Sequence, residues 1–325
     1  MALQGFDPRW QDLPDYILGV TEDIWENRNI HRLRDWYADD IVVRSPASVV
    51  RGNKSVIAAT MATLAEWPDR ELPGEDVIWC GSDAAGDLYS SHRLMCTATH
   101  SRPGAHGAST GKTLRYRILA DCACRDDKIY DEWLIRDQGV IALQLGQTPE
   151  ERARHQIASE GGPENCVQPF TPNNDVTGHY QGTGNGHELG ERYGDIITRI
   201  MDAELSIIAR CYDRAAQLEY PSGVQDMGHK GADRFYMGLC AAVPSASFTI
   251  DHAIGMAEDG RPYRASLRWS LTGKHEGWGM FGEPSGANLH IMGIGHAEFC
   301  PRGLHREYTL IDEVAIWKQI ALHKG

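Results

Sequence analysis

The chain has 325 residues, 42% of them hydrophobic, which is enough for a sizeable core, and at ~100–200 residues per domain the length suggests two domains. Lysine and arginine total 32 against 45 aspartates and glutamates, so the formal net charge is −13. That charge would repel a phosphate backbone, which argues against nucleic-acid binding and favours a neutral or cationic small molecule as ligand.

The sequence carries no membrane or disulfide signal. No apolar run approaches the ~20 residues that a membrane span needs, and the first ten residues lack the charged start and apolar stretch of a signal peptide. The eight cysteines are scattered without a CxxC pair, so we expect free thiols rather than disulfides or a zinc site. These patterns predict a soluble, cytoplasmic protein.

The first half begins with helical patterns and continues with strands. Residues 16–37 carry apolar side chains mostly three to four positions apart, which predicts a helix or a broken pair of helices. A short strand is predicted at 41–44 and a helix from Ser55 to Glu66. Four further strands are predicted at 76–80, 88–99, 114–124 and 129–137. Helices followed by antiparallel strands indicate an α+β unit.

Residues 147–189 differ in composition, because a short helical start is followed by a stretch rich in glycine, proline and asparagine. We interpret them as a linker between a first domain at 1–146 and a second domain at 190–325. A linker of this length exceeds what a compact domain usually leaves without structure. It therefore either wraps the surface or covers a site as a lid.

The second domain repeats the first at an offset of 175 residues. The paired residues include Tyr37 with Tyr212, Glu132 with Glu307, Trp133 with Tyr308, and Asp137 with Asp312. A one-residue insertion just before the predicted helix is compensated by a later deletion, and from Arg93 onward the register has no gap. Chance does not easily keep such a register, so the chain is a tandem duplication of one fold.

Strand alternation divides the repeated stretch into two faces. One face carries Trp133 and ends in Asp137, whereas Glu132 and Arg136 point to the other side. The second copy repeats this arrangement and ends in Asp312. We therefore interpret each aspartate as an acid placed among apolar and aromatic groups, with the glutamates facing elsewhere.

Short motifs recur in the same order in both halves. In the first half the motifs are residues 37–46 with Arg51 and Gly52, then Thr99, His100 and 110–112, then 128–133 with Asp137. In the second half they are residues 273–277, then 281–286, then Glu307 and Tyr308 with Asp312. With these motifs, both halves resemble the SnoaL-like polyketide cyclases, or ester cyclases, of the nuclear transport factor 2-like superfamily.

The resemblance implies a cone in each half, in which a strongly curved mixed sheet wraps around helices and leaves a pocket between them. The expected fold class is α+β, with two tandem cone-shaped barrels and no metal or cofactor. Typical members are single domains that form homodimers, so we expect the fused halves to pack sheet against sheet as an intrachain pseudo-dimer, with further homo-oligomerisation left open. The outer faces of the predicted sheets combine polar and apolar side chains, such as Arg117 with Leu119 and Met292 with His296. This mixture suits an interface that is partly hydrated.

In the cyclases of this family the aspartate of the last strand is the general acid/base, and by resemblance that role falls on Asp137 and Asp312. Loss of solvation on an apolar wall would raise the pKa of such a carboxylate towards working pH. His100 and His275 are candidates for a second proton carrier, and hydrogen-bonded core histidines are an equal alternative. The aromatic residues expected to bind substrate are Trp25, Tyr37, Trp133, Tyr212, Trp269 and Tyr308, although residues such as Trp25, Tyr37 and Tyr212 are more often part of a helix core than ligand contacts.

Two observations limit the site further. His290, His296 and Glu298 share a strand face, but the two histidines are ~20 Å apart in an extended strand, which is too far for one metal ion. The second half keeps the fuller glycine-rich hairpin, so we predict that Asp312 is the more active of the two aspartates.

The leading hypothesis is a cofactor-independent acid/base enzyme, a cyclase, isomerase, lyase or hydrolase, that acts on a small carbonyl-containing metabolite in an enclosed pocket. The alternative is a non-catalytic small-molecule-binding protein of the same fold, and a third hypothesis is a structural dimerisation module. An open pocket with a buried carboxylate would favour an enzyme, whereas two filled cones would favour the module.

Overall fold

The computed structural model describes residues 3–82 and 86–324, and it contains two copies of one α+β fold. The first copy consists of α1 (Leu13–Trp25), α2 (Leu33–Trp36), β1 (Tyr37–Ser45), β2 (Ser48–Arg51), α3 (Asn53–Glu66), β3 (Gly74–Ser82), β4 (Asp87–Thr99), β5 (Thr113–Arg125), β6 (Lys128–Arg136) and α4 (Gln138–Leu145). Helix α5 (Pro149–Ser159) follows. The second copy consists of α6 (Glu188–Met201), α7 (Ser206–Cys211), β7 (Tyr212–Tyr220), β8 (Val224–Met227), α8 (Gly228–Ala242), β9 (Ser247–Met256), β10 (Tyr263–Lys274), β11 (Asn288–Cys300), β12 (Gly303–Ile311) and α9 (Glu313–Lys324).

Each copy has one six-stranded sheet, ordered β2-β1-β6-β5-β4-β3 in the first and β8-β7-β12-β11-β10-β9 in the second. One pair of neighbours in each sheet is parallel, β1 with β6 and β7 with β12, and the others are antiparallel. The parallel pairs begin at Tyr37 with Ile129 and at Tyr212 with Leu304, which match in the 175-residue register. The predicted tandem α+β architecture is confirmed.

The concave face of each sheet wraps around helices of its own copy. In the first copy, Asp12 caps α1 by accepting a hydrogen bond from the backbone N–H of Asp15 at 2.8 Å. Apolar residues three to four positions apart then put Ile17, Val20 and Ile24 on the buried side of this helix. Helices α1 and α3 close the cone above the sheet, and this positions the cavity described below.

The two aspartates predicted to end the last strands lie just outside them. Strand β6 ends at Arg136 and β12 ends before Asp312, and the chain then turns into a helix. Asp137 accepts a hydrogen bond from the backbone N–H of Val140 at 3.0 Å, and Asp312 accepts one from the backbone N–H of Ala315 at 3.0 Å. Each aspartate therefore stabilises the first turn of the following helix.

The linker runs over the surface and contacts both domains, for example through Arg44 of the first and through Lys318 of the second, which pairs with Glu160. Thr148 and Glu151 form a reciprocal capping box at the start of α5. Further along, Arg44 on β1 donates hydrogen bonds to the Asp175 carboxylate at 2.5 Å and to the Val176 carbonyl at 2.7 Å. Within the ranges that the structure describes, no linker residue lines the cavity in the first cone. Of the two alternatives left open by the sequence, the linker wraps the surface.

The two sheets pack face to face through an apolar layer to which both contribute. The first sheet supplies Ile78, Tyr89, Leu119, Ala123, Tyr130, Trp133 and Ile135, and the second supplies Ile254, Met292, Ile294 and Leu310. All of these side chains are buried. The predicted intrachain pseudo-dimer is therefore confirmed, and a buried apolar layer forms part of its interface.

Charged contacts surround this apolar layer. Arg117 donates to Glu219 of the second domain at 2.5 Å and also pairs with Glu75 at 2.7 Å. Arg264 of the second domain pairs with Asp76 of the first. Burying such pairs costs solvation that their attraction only partly offsets, so their main effect is to fix how the two sheets align.

All eight cysteines are free thiols, and four of them are buried. No helix within residues 3–82 and 86–324 has both the length and the apolar character that crossing a membrane requires.

Candidate functional site

A cavity of about 230 Å³ lies inside the first cone, between helices α1 and α3 and the concave face of the sheet. Its wall is largely apolar, with residues such as Ile17, Val20, Leu94 and Ile118. The ionisable side chains that line it are Tyr37, Arg70, His92, Cys122, Glu132 and Arg136. A few polar groups that converge in an apolar pocket are typical of a small-molecule site.

Strand alternation explains which side chains face this cavity. On β6 it is lined by Glu132, Leu134 and Arg136, whereas Ile135 between them packs into the interface between the sheets. The same alternation on β5 turns Ala120 towards the cavity, as one of several small or apolar residues. The inner face of the sheet is therefore largely apolar, and β6 carries a glutamate and an arginine there.

Glu132 is the carboxyl group of the cavity. It stands in the middle of β6, where Val43 and Cys122 on the neighbouring strands flank it and line the same wall. Burial raises the pKa of Glu132 to about 7, although the neighbouring Tyr37 hydroxyl and Arg136 guanidinium oppose the rise. A carboxyl group with a pKa near neutrality can both accept and return a proton.

Arg136 lies four residues after Glu132, on the same face of β6. In the part of the chain that the structure describes, its guanidinium forms no hydrogen bond or ion pair, and its side chain stays partly accessible from the cavity. Burial and the neighbouring Arg70 lower the pKa of Arg136, but a guanidinium remains charged in proteins. Arg136 is therefore a cation that lies beside the carboxyl group of Glu132 without forming an ion pair with it.

Arg70 is a second cation on the cavity wall. Its side chain is buried, its guanidinium lies 4.2 Å above the ring of Trp25, and its Nε is 3.2 Å from both the Cys96 thiol and the Tyr116 hydroxyl. The Nη1 atom of Arg70 has no hydrogen-bond partner among the described residues. An unpaired buried donor is costly, so this atom is available to a ligand.

His92 and Tyr37 complete the polar set, and both are neutral. Burial lowers the pKa of His92 to about 4, so its imidazole is uncharged at neutral pH, with Nδ1 3.3 Å from the Ser90 hydroxyl. Burial, reinforced by the nearby Glu132, raises the pKa of Tyr37 well above its usual range. The tyrosine therefore keeps its proton and can act as a hydrogen-bond donor in the cavity.

The equivalent space in the second cone is filled by side chains. Glu307, the counterpart of Glu132, is fully buried and accepts hydrogen bonds from four tyrosine hydroxyls: Tyr193 at 2.9 Å, Tyr212 at 3.0 Å, Tyr220 at 2.7 Å and Tyr236 at 2.5 Å. Burial raises the pKa of Glu307, and the tyrosine hydrogen bonds oppose this rise. Four donors occupy the carboxylate, so no room is left beside it for a substrate.

The side chains that fill the second cone replace smaller or charged ones of the first. The repeat pairs Ser45 with Tyr220, Thr60 with Tyr236, Arg70 with Ala246, His92 with Leu267, and Arg136 with Ile311. A separate depression of about 270 Å³ at the mouth of the second cone is lined mainly by apolar residues such as Met201 and Leu271, and no carboxylate lines it. The polar cavity is thus a property of the first cone.

Asp137 and Asp312, the predicted acid/base residues, lie where the two domains meet and do not line the cavity. Asp137 accepts hydrogen bonds from the backbone N–H groups of Ser222 at 2.9 Å and Gly223 at 3.0 Å, both in the second domain. Burial raises the pKa of Asp312 to about 7, and the nearby charge of Asp137 adds to the effect. Both aspartates have the geometry of helix caps, and Asp137 also connects the two domains.

His100 and His275, the predicted second proton carriers, stand at the ends of two hairpins. The Nδ1 atom of His100 lies 3.1 Å from the Thr110 hydroxyl, and that of His275 lies 3.0 Å from the Ser285 hydroxyl. On its other side, His100 lies 3.2 Å from the Glu66 carboxylate. Both histidines fasten the hairpin that follows them, and neither lines the cavity.

The six aromatic residues expected to bind substrate divide into three places. Trp25 and Tyr37 line the cavity in the first cone. Tyr212 and Trp269 belong to the filled core of the second cone.

Trp133 and Tyr308 lie between the sheets. The guanidinium of Arg268 stacks 3.9 Å above Trp133, and that of Arg93 stacks 3.6 Å above Tyr308. These cation–π contacts stabilise the interface and leave both rings outside the cavity.

The histidines considered as metal ligands have separate partners. His290 lies 2.8 Å from the Thr272 hydroxyl, and His296 lies 2.9 Å from the Ser91 hydroxyl across the interface. Over residues 3–82 and 86–324, no group of three or more histidine, cysteine, aspartate or glutamate side chains has a metal-binding arrangement.

Sequence reasoning therefore missed four residues of the cavity: Arg70, His92, Glu132 and Arg136. For two of them a signal was present. Alternation had already put Glu132 and Arg136 on one face, and the repeat shows that the arginine becomes Ile311 in the second half. The combination of Glu132 with Arg136 is present in the first half alone, whereas Asp137 has a counterpart in both halves. A charged combination found in one copy indicates a functional site more strongly than an aspartate found in both.

Comparison with known proteins agrees with this fold. Residues 16–145 match the family model described as SnoaL-like polyketide cyclase. No curated protein matches the sequence. Among solved structures, IdmH from Streptomyces antibioticus is 22% identical with a TM-score of 0.36, and the alignment covers 41% of this chain and 97% of IdmH.

Two further structures give similar values. A SnoaL-like polyketide cyclase from Agrobacterium tumefaciens is 21% identical with a TM-score of 0.33, over 42% of this chain and 99% of that protein. TsrD from Streptomyces laurentii is 15% identical with a TM-score of 0.36, over 41% of this chain and 94% of TsrD. The match to the SnoaL-like polyketide cyclase model lies within the first domain and covers less than half of the chain.

Proposed function

We propose that the first cone is the active site of a cofactor-independent acid/base enzyme that acts on a small carbonyl compound, with Glu132 as the proton-transferring group. The observation that carries this proposal is a buried carboxyl group with a pKa of about 7, facing a cavity of about 230 Å³ beside a cation to which it is not paired. Acid and base catalysis both need a group poised in this way.

The chemistry follows from the cavity residues. Glu132 in its carboxylate form removes a proton from the carbon next to the substrate carbonyl, so that a C–H bond breaks and an O–H bond forms on the glutamate. The electron pair moves onto the carbonyl oxygen, where the charge of Arg136 stabilises it. The enolate carbon then attacks a second carbonyl of the same molecule, which closes a ring through a new C–C bond, and the alkoxide that forms takes the proton from Glu132. Alternatively, the enolate takes the proton back at another atom, which isomerises the substrate. Both routes return Glu132 to its carboxylate form.

His92 and Tyr37 have supporting roles in this scheme. Both are uncharged at neutral pH and can donate a hydrogen bond to a developing oxyanion. A substrate that fills the cavity displaces water from the apolar wall, which strengthens each of these interactions and keeps the enolate from being quenched. Cyclisation agrees with the description of the matching family, whereas the structure itself supports the proton transfer.

The test uses a simple ketone, because the natural substrate is unidentified. Exchange of the α-protons of 1-tetralone for deuterium in D₂O, followed by NMR, reports enolisation directly. We expect the protein to accelerate exchange above the buffer rate and Glu132→Gln to lower that acceleration by ~10²–10⁴-fold, the usual contribution of acid/base catalysis. Melting curves should show that the variant stays folded.

The aspartates predicted from the sequence serve as the matched comparison. Asp137→Asn and Asp312→Asn should retain the exchange activity, because both residues lie outside the cavity. If these variants lose activity while Glu132→Gln keeps it, the acid/base role belongs to the aspartates. Binding of 1-tetralone without any catalysed exchange would overturn the enzyme proposal in favour of a small-molecule-binding protein.

A further inference from the structure

The charges that line the cavity do not balance. Two guanidinium groups, Arg70 and Arg136, face it, and they remain charged at any physiological pH. Among the described residues that line the cavity, Glu132 is the carboxylate that could offset them, and it forms no ion pair with either arginine. At least one positive charge is therefore left without a protein counterion in a buried, mostly apolar space.

The fold does not require these arginines. The second cone has the same strand order, and the positions equivalent to Arg70 and Arg136 are Ala246 and Ile311. Burying a cation without a partner costs several kcal/mol, so an arginine with no structural role would be a liability at either position. Their presence in the cone that keeps a cavity indicates that something in the cavity offsets their charge.

The two arginines also have hydrogen-bond donors that a ligand in the cavity can use. Arg70 is only 1% exposed, it is fixed by stacking on Trp25 at 4.2 Å, and its Nη1 atom lacks a partner among the described residues. Arg136 stays partly accessible from the cavity. A fixed, unpaired guanidinium in a site of low polarity binds an oxyanion such as a carboxylate through charge-assisted hydrogen bonds.

We propose that the substrate carries a negative charge of its own, as a carboxylate, and that Arg70 and Arg136 hold this group while the apolar wall takes the rest of the molecule. This rests on the proposed function, because it names the substrate class of the same site. The cavity, at about 230 Å³, is smaller than the ~300–1,000 Å³ of drug-sized sites, so the substrate is a compact keto acid rather than a large polyketide.

This inference corrects an expectation from composition. The net charge of −13 favoured a neutral or cationic ligand. The acidic residues that produce that charge do not line the cavity, with the exception of Glu132, and the local balance has the opposite sign. A net charge describes the surface of a protein and does not determine the sign of a buried site.

The experiment compares two probes of the same shape, 2-naphthoate and 2-naphthamide, by isothermal titration calorimetry. For the unmodified protein we expect the carboxylate to bind at least about ten-fold more tightly than the amide, as charge-assisted hydrogen bonds predict. Arg136→Ile, which introduces the residue of the second cone, should abolish this preference, and Arg136→Lys should restore part of it. Arg115→Ile removes an exposed arginine of the same domain and should change neither affinity.

The outcomes separate this inference from the proposed function. Glu132→Gln should keep or strengthen the preference for the carboxylate while it stops the exchange reaction. Equal affinity for the two probes in the unmodified protein, or failure of both to bind at millimolar concentration, would overturn the anionic-substrate proposal. Neither result would affect the role of Glu132 in the exchange of a neutral ketone.

Discussion

The two cones show two ways to bury a glutamate at the same point of one fold. In the second cone, four tyrosine hydroxyls occupy Glu307 and side chains fill the space around it. In the first cone, Glu132 faces an open cavity with two arginines that it does not pair with. A carboxylate whose hydrogen bonds are all satisfied within the protein is structural, whereas one that retains free capacity beside a cavity can do chemistry.

Duplication explains how this difference could arise within one chain. The two sheets share an apolar interface, so each cone stabilises the other whether or not it contains a site. Filling one cone adds packing and hydrogen bonds to the pair, which leaves the other free to keep a cavity and unpaired charges that cost stability. The chain thus combines one stabilising domain and one domain with a candidate active site, a division typical of proteins whose sites are strained.

The largest expected effect comes from making the first cone resemble the second. Thr60→Tyr introduces the residue found at position 236 into the wall of the cavity. The added ring should fill the space, so α-proton exchange and naphthoate binding should both be lost completely, while the protein remains folded. Met61→Tyr adds the same ring to the same helix at a side chain that is 52% exposed, and its activity should be unchanged. A Thr60→Tyr protein that keeps full activity would place the site elsewhere.

The second effect is a loss of stability when a tyrosine hydroxyl is removed, and it should be larger in the filled second cone than in the first. Tyr236→Phe removes a hydrogen bond to the buried Glu307, and hydrogen bonds to charged groups contribute ~1.5–3 kcal/mol. We expect urea denaturation to show a loss of that size. Tyr37→Phe, the matching kind of change in the first cone, should cost less than about 1 kcal/mol, because water in the cavity can replace the hydroxyl. Equal losses would mean that the two glutamates are in similar environments.

The third effect is on the pH dependence of catalysis. The base form of Glu132 is needed for proton removal, and burial raises its pKa to about 7. The exchange rate should therefore rise about ten-fold per pH unit below pH 7 and level off above pH 8, after correction for the buffer reaction. An ordinary surface glutamate would give a rate that is flat from pH 6 upwards, and such a profile would contradict the assignment.

The smallest effect is at the contact between the domains. Burial raises the pKa of Asp312 from its ordinary value of 3.8 to about 7. A carboxyl group whose pKa is raised in the folded state stabilises the protein at low pH, and this stabilisation is lost as the pH rises from about 4 to 7. The free energy of unfolding of Asp312→Asn, relative to the unmodified protein, should therefore increase by about 1 kcal/mol between pH 6 and pH 7. A constant difference would mean that the aspartate is already ionised at pH 6.

The sequence was sufficient to predict the fold, because duplication exposes the same pattern twice. The register between residues 129–145 and 304–320 marks equivalent strands and helices, and alternation along β6 correctly separated Glu132 from Trp133. Alternation does not say which face of a curved sheet is concave. The aromatic face of Trp133 was therefore expected to line the pocket, and it forms the interface between the sheets instead.

The remaining residues of the site depend on information that local sequence lacks. Arg70 and His92 are distant from Glu132 along the chain, and only the curvature of the sheet brings them to one cavity. The family resemblance directed attention to Asp137, whose side chain instead caps the helix that follows β6, through the backbone N–H of Val140. Whether a cone is open or filled depends on side-chain volumes such as those of Ser45 and its counterpart Tyr220, which a comparison of the two halves could have revealed.

The central claim is that the two glutamates at equivalent positions have different roles, and one paired measurement tests it. The rate of 1-tetralone α-deuteration should be determined for Glu132→Gln and Glu307→Gln at pH 8, with both variants shown to be folded. The account predicts that Glu132→Gln loses ~10²–10⁴-fold of the catalysed rate and that Glu307→Gln, although less stable, retains it. Equal losses in both variants, or a loss confined to Glu307→Gln, would contradict the account.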